Sequence, residues 1–134
     1  MSKRQSNSEE GELTQALEMY VKTIHELEDE FGSAAPSDIA EKLEVKAPSV
    51  TSALQKLDVI GMAEYQRYQH VKLTEKGREV AKMLDRRHST IRDFLLHIGV
   101  KEEIALSDAC TIEHVVHKET IEKLAHFLKK HRKK

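Results

Sequence analysis

A single cysteine, two prolines, five glycines and no tryptophan set the first limits on this 134-residue chain. One thiol cannot close an internal disulfide, so a reducing cytoplasm is the expected location. So few prolines and glycines exclude a turn-rich, many-stranded sandwich and argue against a disordered chain. Three Phe and three Tyr are the whole aromatic content, which leaves aliphatic side chains to build the core. No apolar run approaches the ~20 residues of a membrane span, and the opening "MSKRQSNSEEGE" lacks the apolar segment of a signal peptide. No membrane partner is expected.

Neither sign of charge prevails, since the net charge is −1. The distribution is uneven: residues 1–36 carry three basic and eight acidic side chains, while residues 79–134 have a basic excess that owes most to the tail "KKHRKK". Such a tail can touch phosphate, although most charged tails are simply solvated.

What is present is helical periodicity. The first dozen residues are polar and are expected to be disordered. Leu13, Leu17, Tyr20, Ile24, Leu27 and Phe31 then recur at spacings of three and four, which predicts an amphipathic helix ended by Gly32 and Pro36. Ser37 is placed to cap "DIAEKL", with Ile39, Ala40 and Leu43 inward. After "EVKA", Pro48 suits the first turn of a helix running to Gly61, with Val50, Ala53, Leu54, Leu57 and Ile60 as its buried stripe. "MAEYQRYQHVKLT" reads as two short strands. Thr74 is placed to cap a long helix over about 75–98 whose stripe includes Val80, Leu84, Ile91, Leu95 and Ile98, and two further helices follow at about 101–116 and 118–131.

Two helices joined by a tight turn and followed by a β-hairpin make a winged helix-turn-helix, whose second helix fits the major groove of double-stranded DNA. Pro48 opens that helix, and its outward Ser49, Thr51, Ser52 and Gln55 suit base edges or phosphates. Lys46, Lys56 and, from the wing, Arg67 and Lys72 are the expected phosphate neutralisers, with Ser37 adding a contact at a helix N-terminus. A protein-interaction winged helix is the competing reading of this segment. One such unit makes few base contacts, so specificity calls for a symmetric dimer on two half-sites.

"SDACTIEHVVHKE" poses a different problem. At about 100° per residue, Leu106, Ala109, Cys110 and Glu113 fall on one stripe with His114 at its margin. A carboxylate in a leucine's place needs a cation or donors. A metal ion would satisfy Cys110, Glu113 and His114 together; a partly exposed cluster with no ligand is the alternative. His88 is similarly displaced onto the inward stripe of the long helix, where a hydrogen-bonded core histidine is the more frequent finding. Met19 stands off the main stripe of the first helix, where ordinary packing is the usual explanation. A Cys110–His114 nucleophile pair has neither a Gly-rich oxyanion loop nor an evident orienting group, and no HExxH or Walker pattern occurs. No enzyme is expected.

The segments "LEMYVKTIHELEDE", "SDIAEKLEVKAPSVTSALQKLDVIG", "LTEKGREVAKMLDRRH", "FLLHIGV" and "DACTIEHVV" resemble the diphtheria-toxin-repressor family of iron- and manganese-dependent metalloregulators, over about residues 13–128. The resemblance implies a mainly α-helical chain with a winged helix-turn-helix DNA-binding domain over 13–75 and a helical dimerisation and metal-binding domain over 76–134, without the SH3-like third domain of longer members. It implies a homodimeric repressor of metal-homeostasis genes. Met19, Cys110, Glu113 and His114 match the activating metal site of the iron branch, and His88 matches a ligand for an additional ion. Lys22, Arg92 and Leu106 depart from the family's further ligand positions, which argues against a two-metal arrangement. Thioether and thiolate favour softer ions, so Fe²⁺ is the expected effector, ahead of Zn²⁺ and Mn²⁺, with Ni²⁺ or Co²⁺ as surrogates.

Overall fold

The computed structural model describes residues 13–67 and 69–132. The segment expected to be disordered, 1–12, and the last two lysines of the basic tail lie outside them. Among the described residues, six helices and one two-stranded sheet are formed in the order α1 (Gln15–Phe31), α2 (Pro36–Leu43), α3 (Ala47–Val59), β1 (Ala63–Glu64), β2 (Lys72–Leu73), α4 (Glu75–His97), α5 (Glu102–Ile112) and α6 (Lys118–Arg132). The chain divides into two compact units, one ending at Ala81 and the other beginning at Lys82.

In the first unit, Thr14 accepts the amide of Leu17 at 3.1 Å and starts α1. Gly32, at φ 88, ends it in the left-handed region where a side chain would be strained. The expected stripe is buried at Leu17, Tyr20, Ile24 and Leu27, whereas Phe31 is exposed because it is the last helical residue. Pro36 occupies the first turn of α2 and Ala35 is its N-cap. Ser37 therefore does not cap this helix, as the sequence suggested; a proline pre-set at φ near −65° starts it earlier. The turn between α2 and α3 is made by Glu44, at φ 57, and by Val45 N–H donating to the Ala40 carbonyl at 3.0 Å. Val50, Ala53, Leu54 and Leu57 then close α3 onto a core shared with α1, Ile39 and the sheet.

The wing is antiparallel, with Ala63 opposite Leu73 and Glu64 opposite Lys72. A bridge between Ala34 and Val71 adds the α1–α2 connection to its edge. Thr74 ties three segments together at the wing's exit. Its N–H donates to the Met62 carbonyl at 3.0 Å, its hydroxyl donates to the Gly61 carbonyl at 2.7 Å, and the same oxygen accepts the Gly77 amide at 3.1 Å to cap α4. Glu28 locks the arrangement from α1. Its Oε2 accepts the Leu73 amide at 2.8 Å and its Oε1 faces Arg78 at 3.8 Å.

In the second unit Leu84, Ile91, Ala105, Ala109 and Leu128 are buried together with one charged residue, Glu113. Phe94 of α4 meets Phe127 of α6 edge to face at 5.7 Å. Ile98, expected on the inward stripe, is exposed because α4 has ended at His97. Among the described residues no helix is long and apolar enough to cross a membrane.

Gly77 carries the tightest approach. A Cβ there would stand 2.1 Å from the Met62 carbonyl oxygen. In an open helix Gly→Ala is stabilising, but Gly77→Ala should lower stability by about 1–3 kcal/mol, read as a reduced midpoint of urea unfolding with an unchanged slope.

Candidate functional site

The second unit brings four chemistry-bearing side chains together. α4 supplies His88, α5 supplies Cys110, and the turn ending α5 supplies Glu113 and His114. Glu113 is 0% exposed. Its Oε1 lies 3.0 Å from His88 Nδ1 and its Oε2 lies 3.1 Å from His114 Nε2. Cys110 Sγ is 4.0 Å from the same His88 nitrogen.

The local geometry departs from the sequence reading in two ways. The helix expected over 101–116 ends at Ile112, and Glu113 is its C-cap, still at helical angles (φ −56, ψ −25). Arg87 braces that end, its Nη1 donating to the carbonyls of Glu113 at 3.2 Å and Val116 at 3.3 Å. The N–H of His114 turns to Thr111, three residues back, at 3.3 Å. The buried stripe is also rotated. Ala105, Ala109 and Glu113 face inward at intervals of four, while Leu106 and Cys110, which were expected on that stripe, are exposed. The thiol thus sits at the rim and the carboxylate at the centre.

Cys110, Glu113 and His114 were expected to share a site, and His88 joins them through its hydrogen bond to Glu113. Met19 belongs to the first unit, where it is 44% exposed on α1. Its neighbour Tyr20 is buried, which raises the phenol pKa and keeps the hydroxyl neutral. Arg87 escaped the sequence reading. Its partners are backbone carbonyls more than 25 residues away, and no side-chain pattern announces them.

Carboxylate, imidazole and thiol are donors that first-row transition metals accept. In kind the residues fit a metal. They do not form a ready cage: among the described residues no group of three or more His, Cys, Asp or Glu is set to hold an ion. The carboxylate and imidazoles instead hydrogen-bond to one another.

On the first unit, Lys46, Pro48, Ser49, Ser52, Gln55 and Lys56 are exposed along α3 and its N-cap, and Thr51 is half-buried. Arg67 and Lys72 are exposed on the wing, and Ser37 in the first turn of α2.

Residues 12–71 match the family Iron dependent repressor, N-terminal DNA binding domain, and residues 74–134 match Iron dependent repressor, metal binding and dimerisation domain. The chain belongs to this family. It is 40% identical over 111 residues to the HTH-type transcriptional regulator MntR of Shouchella clausii, covering 83% of this chain and 78% of that protein. It is 43% identical over 101 residues to MntR of Bacillus subtilis, covering 75% and 71%. The solved structure of the manganese regulator SloR is 32% identical and superposes with a TM-score of 0.73, covering 84% of this chain and 53% of that one. This chain thus spans about half of that longer protein. As an iron/manganese-dependent repressor of the diphtheria-toxin-repressor family, the chain is a metal-dependent, DNA-binding transcriptional regulator.

Within this family member, Arg87 is the residue that shapes the turn carrying Glu113 and His114. Arg87→Met keeps the aliphatic stem and removes both hydrogen bonds. It should cost about 1–3 kcal/mol and speed amide exchange at Val115 and Val116, measured by mass-resolved hydrogen exchange.

Proposed function

We propose that this chain is a cytoplasmic homodimer that represses metal-uptake promoters when Fe²⁺ binds at Cys110, Glu113, His114 and His88. The observation that carries the reading is the buried Glu113 carboxylate held between two imidazoles, with a thiol at its rim. Burying a carboxylate is unfavourable by several kcal/mol unless a cation or several donors compensate. A bound divalent ion would supply that compensating charge and take the thiol as thiolate. Glu113 then anchors, His88 and His114 donate neutral nitrogens, and Arg87 keeps the turn closed so that Glu113 and His114 stay adjacent.

The choice of Fe²⁺ rests on the thiol, a softer donor than the carboxylates and imidazoles around it. Relatives named as manganese regulators, SloR among them, make Mn²⁺ the competitor, with Zn²⁺ third. Exposed Leu96, Ile98, Ile104, Leu106 and Val115 in the second unit support a self-complementary dimer, the form in which a two-fold protein reads a palindromic operator. In the first unit, Ser49, Thr51, Ser52 and Gln55 of α3 face base edges. Lys46, Lys56, Arg67, Lys72 and Ser37 take the phosphates. Linkage requires that DNA tighten metal binding by the factor by which metal tightens DNA binding.

The test is anaerobic binding to pooled genomic fragments, in chelator and then with Fe²⁺, Mn²⁺ or Zn²⁺ at equal free concentration. Discrete fragments should be enriched only with metal, and most strongly with Fe²⁺; equal enrichment in chelator would remove the metal switch. Glu113→Gln should weaken metal binding by at least about tenfold in a competition titration against a chromophoric chelator, with far-UV circular dichroism unchanged. Lys46→Ala and Lys56→Ala should each lower the slope of log affinity against log salt by about one.

A further inference from the structure

His70 and Val71 lead into β2 (Lys72–Leu73), with Val71 bridged to Ala34, and burial alternates along the four residues. Val71 and Leu73 are buried while His70 and Lys72 are exposed. The exposed His70 and Lys72 thus flank the buried Val71. His70 is also tethered there, because its Nδ1 lies 2.6 Å from the Ser33 hydroxyl. Ser33 is held in turn by its neighbour Ala34, which exchanges backbone hydrogen bonds with Val71 at 2.9 and 3.4 Å.

This pair contributes little that the fold needs. An exposed hydrogen bond between groups that water would satisfy equally well adds little to stability. Its effect falls on the imidazole itself. When the Ser33 hydroxyl donates to Nδ1, the ring proton of the neutral form sits on Nε2, turned away from Ser33. When the ring is cationic, Nδ1–H donates to the Ser33 oxygen and Nε2 again carries a proton. Both forms present an N–H from the outer face of the wing, and an approaching phosphate oxygen selects them over the tautomer that presents a lone pair.

We propose that His70, oriented by Ser33, is a further wing contact to DNA, donating from Nε2 to a phosphate oxygen beside Lys72. The inference rests on the DNA-binding reading above. Ser33 acts as a positioning residue, since its hydroxyl is taken up by the imidazole. A backbone contact carries no sequence information, so its loss weakens binding to all sequences alike.

The experiment measures fluorescence anisotropy of the metal-loaded full chain on two probes: a fragment enriched in the pooled-genome selection, and an unrelated duplex of equal length. His70→Ala should weaken both by a similar factor, about three- to tenfold, with the urea midpoint and metal affinity unchanged. Ser33→Ala should weaken both by less, and Ser33→Thr, which keeps the hydroxyl, should restore the parent value. In the His70→Ala background Ser33→Ala should have no further effect, because the two act as one unit. Parent affinity in His70→Ala, with metal-dependent binding intact, would overturn the inference and leave the proposed function standing. A loss confined to the enriched fragment would overturn the phosphate assignment in favour of a base contact. An undiminished Ser33→Ala effect without His70 would overturn the positioning role. Failure of the parent chain to bind either probe would remove both readings.

Discussion

Glu113 has no exposed surface, and each of its carboxylate oxygens lies about a hydrogen bond's length from an imidazole nitrogen, His88 Nδ1 at 3.0 Å and His114 Nε2 at 3.1 Å. A charge so placed is unfavourable on its own and forces its surroundings to answer it. α4 must offer a histidine where its apolar stripe would otherwise carry a leucine. α5 must end so that residue 114 returns toward its neighbour. Arg87 must hold that end by taking two carbonyls. The second unit is built around this requirement, with Leu84, Ile91, Ala105, Ala109 and Leu128 supplying the apolar remainder.

The imidazoles that hydrogen-bond the buried carboxylate compensate it and are at the same time donors of the right kind for a metal. That combination suits a regulator, which must persist folded in both states while only one is active.

The first unit is organised by a different device. Thr74 gathers the exit of α3, the wing and the start of α4 through its N–H and hydroxyl, and Glu28 reaches from α1 to the Leu73 amide. Gly77 permits the contact because any Cβ would collide with the Met62 carbonyl. The exposed side chains of α3 and the wing are thus presented from a body tied together by these hydrogen bonds. Ser33 and His70 extend the same economy to the wing's outer face.

Much of this was legible in the residue order. Helical periodicity placed α1, α3 and α4 to within a residue or two, Gly32 and Thr74 marked an end and a start, and "MAEYQRYQHVKLT" held the two short strands of the wing. The spacing of Cys110, Glu113 and His114 was visible because local structure puts such neighbours side by side. Periodicity alone misjudged how some stripes end and which way they face. Phe31 and Ile98 lie where their helices stop, Pro36 displaced Ser37 from its capping role, and the inward face of α5 kept Ala109 and Glu113 but took Ala105 in place of Leu106 and Cys110. Those outcomes depend on partners distant in sequence. The carbonyls that Arg87 holds, the amide that Glu28 accepts and the serine that orients His70 lie between 26 and 45 residues away. Sequence determined the elements and the donor types, because these follow from spacing along one chain. Tertiary structure alone decided that His88 meets Glu113 and that the α5 helix stops before it, because both are settled by groups that only folding brings within hydrogen-bonding range.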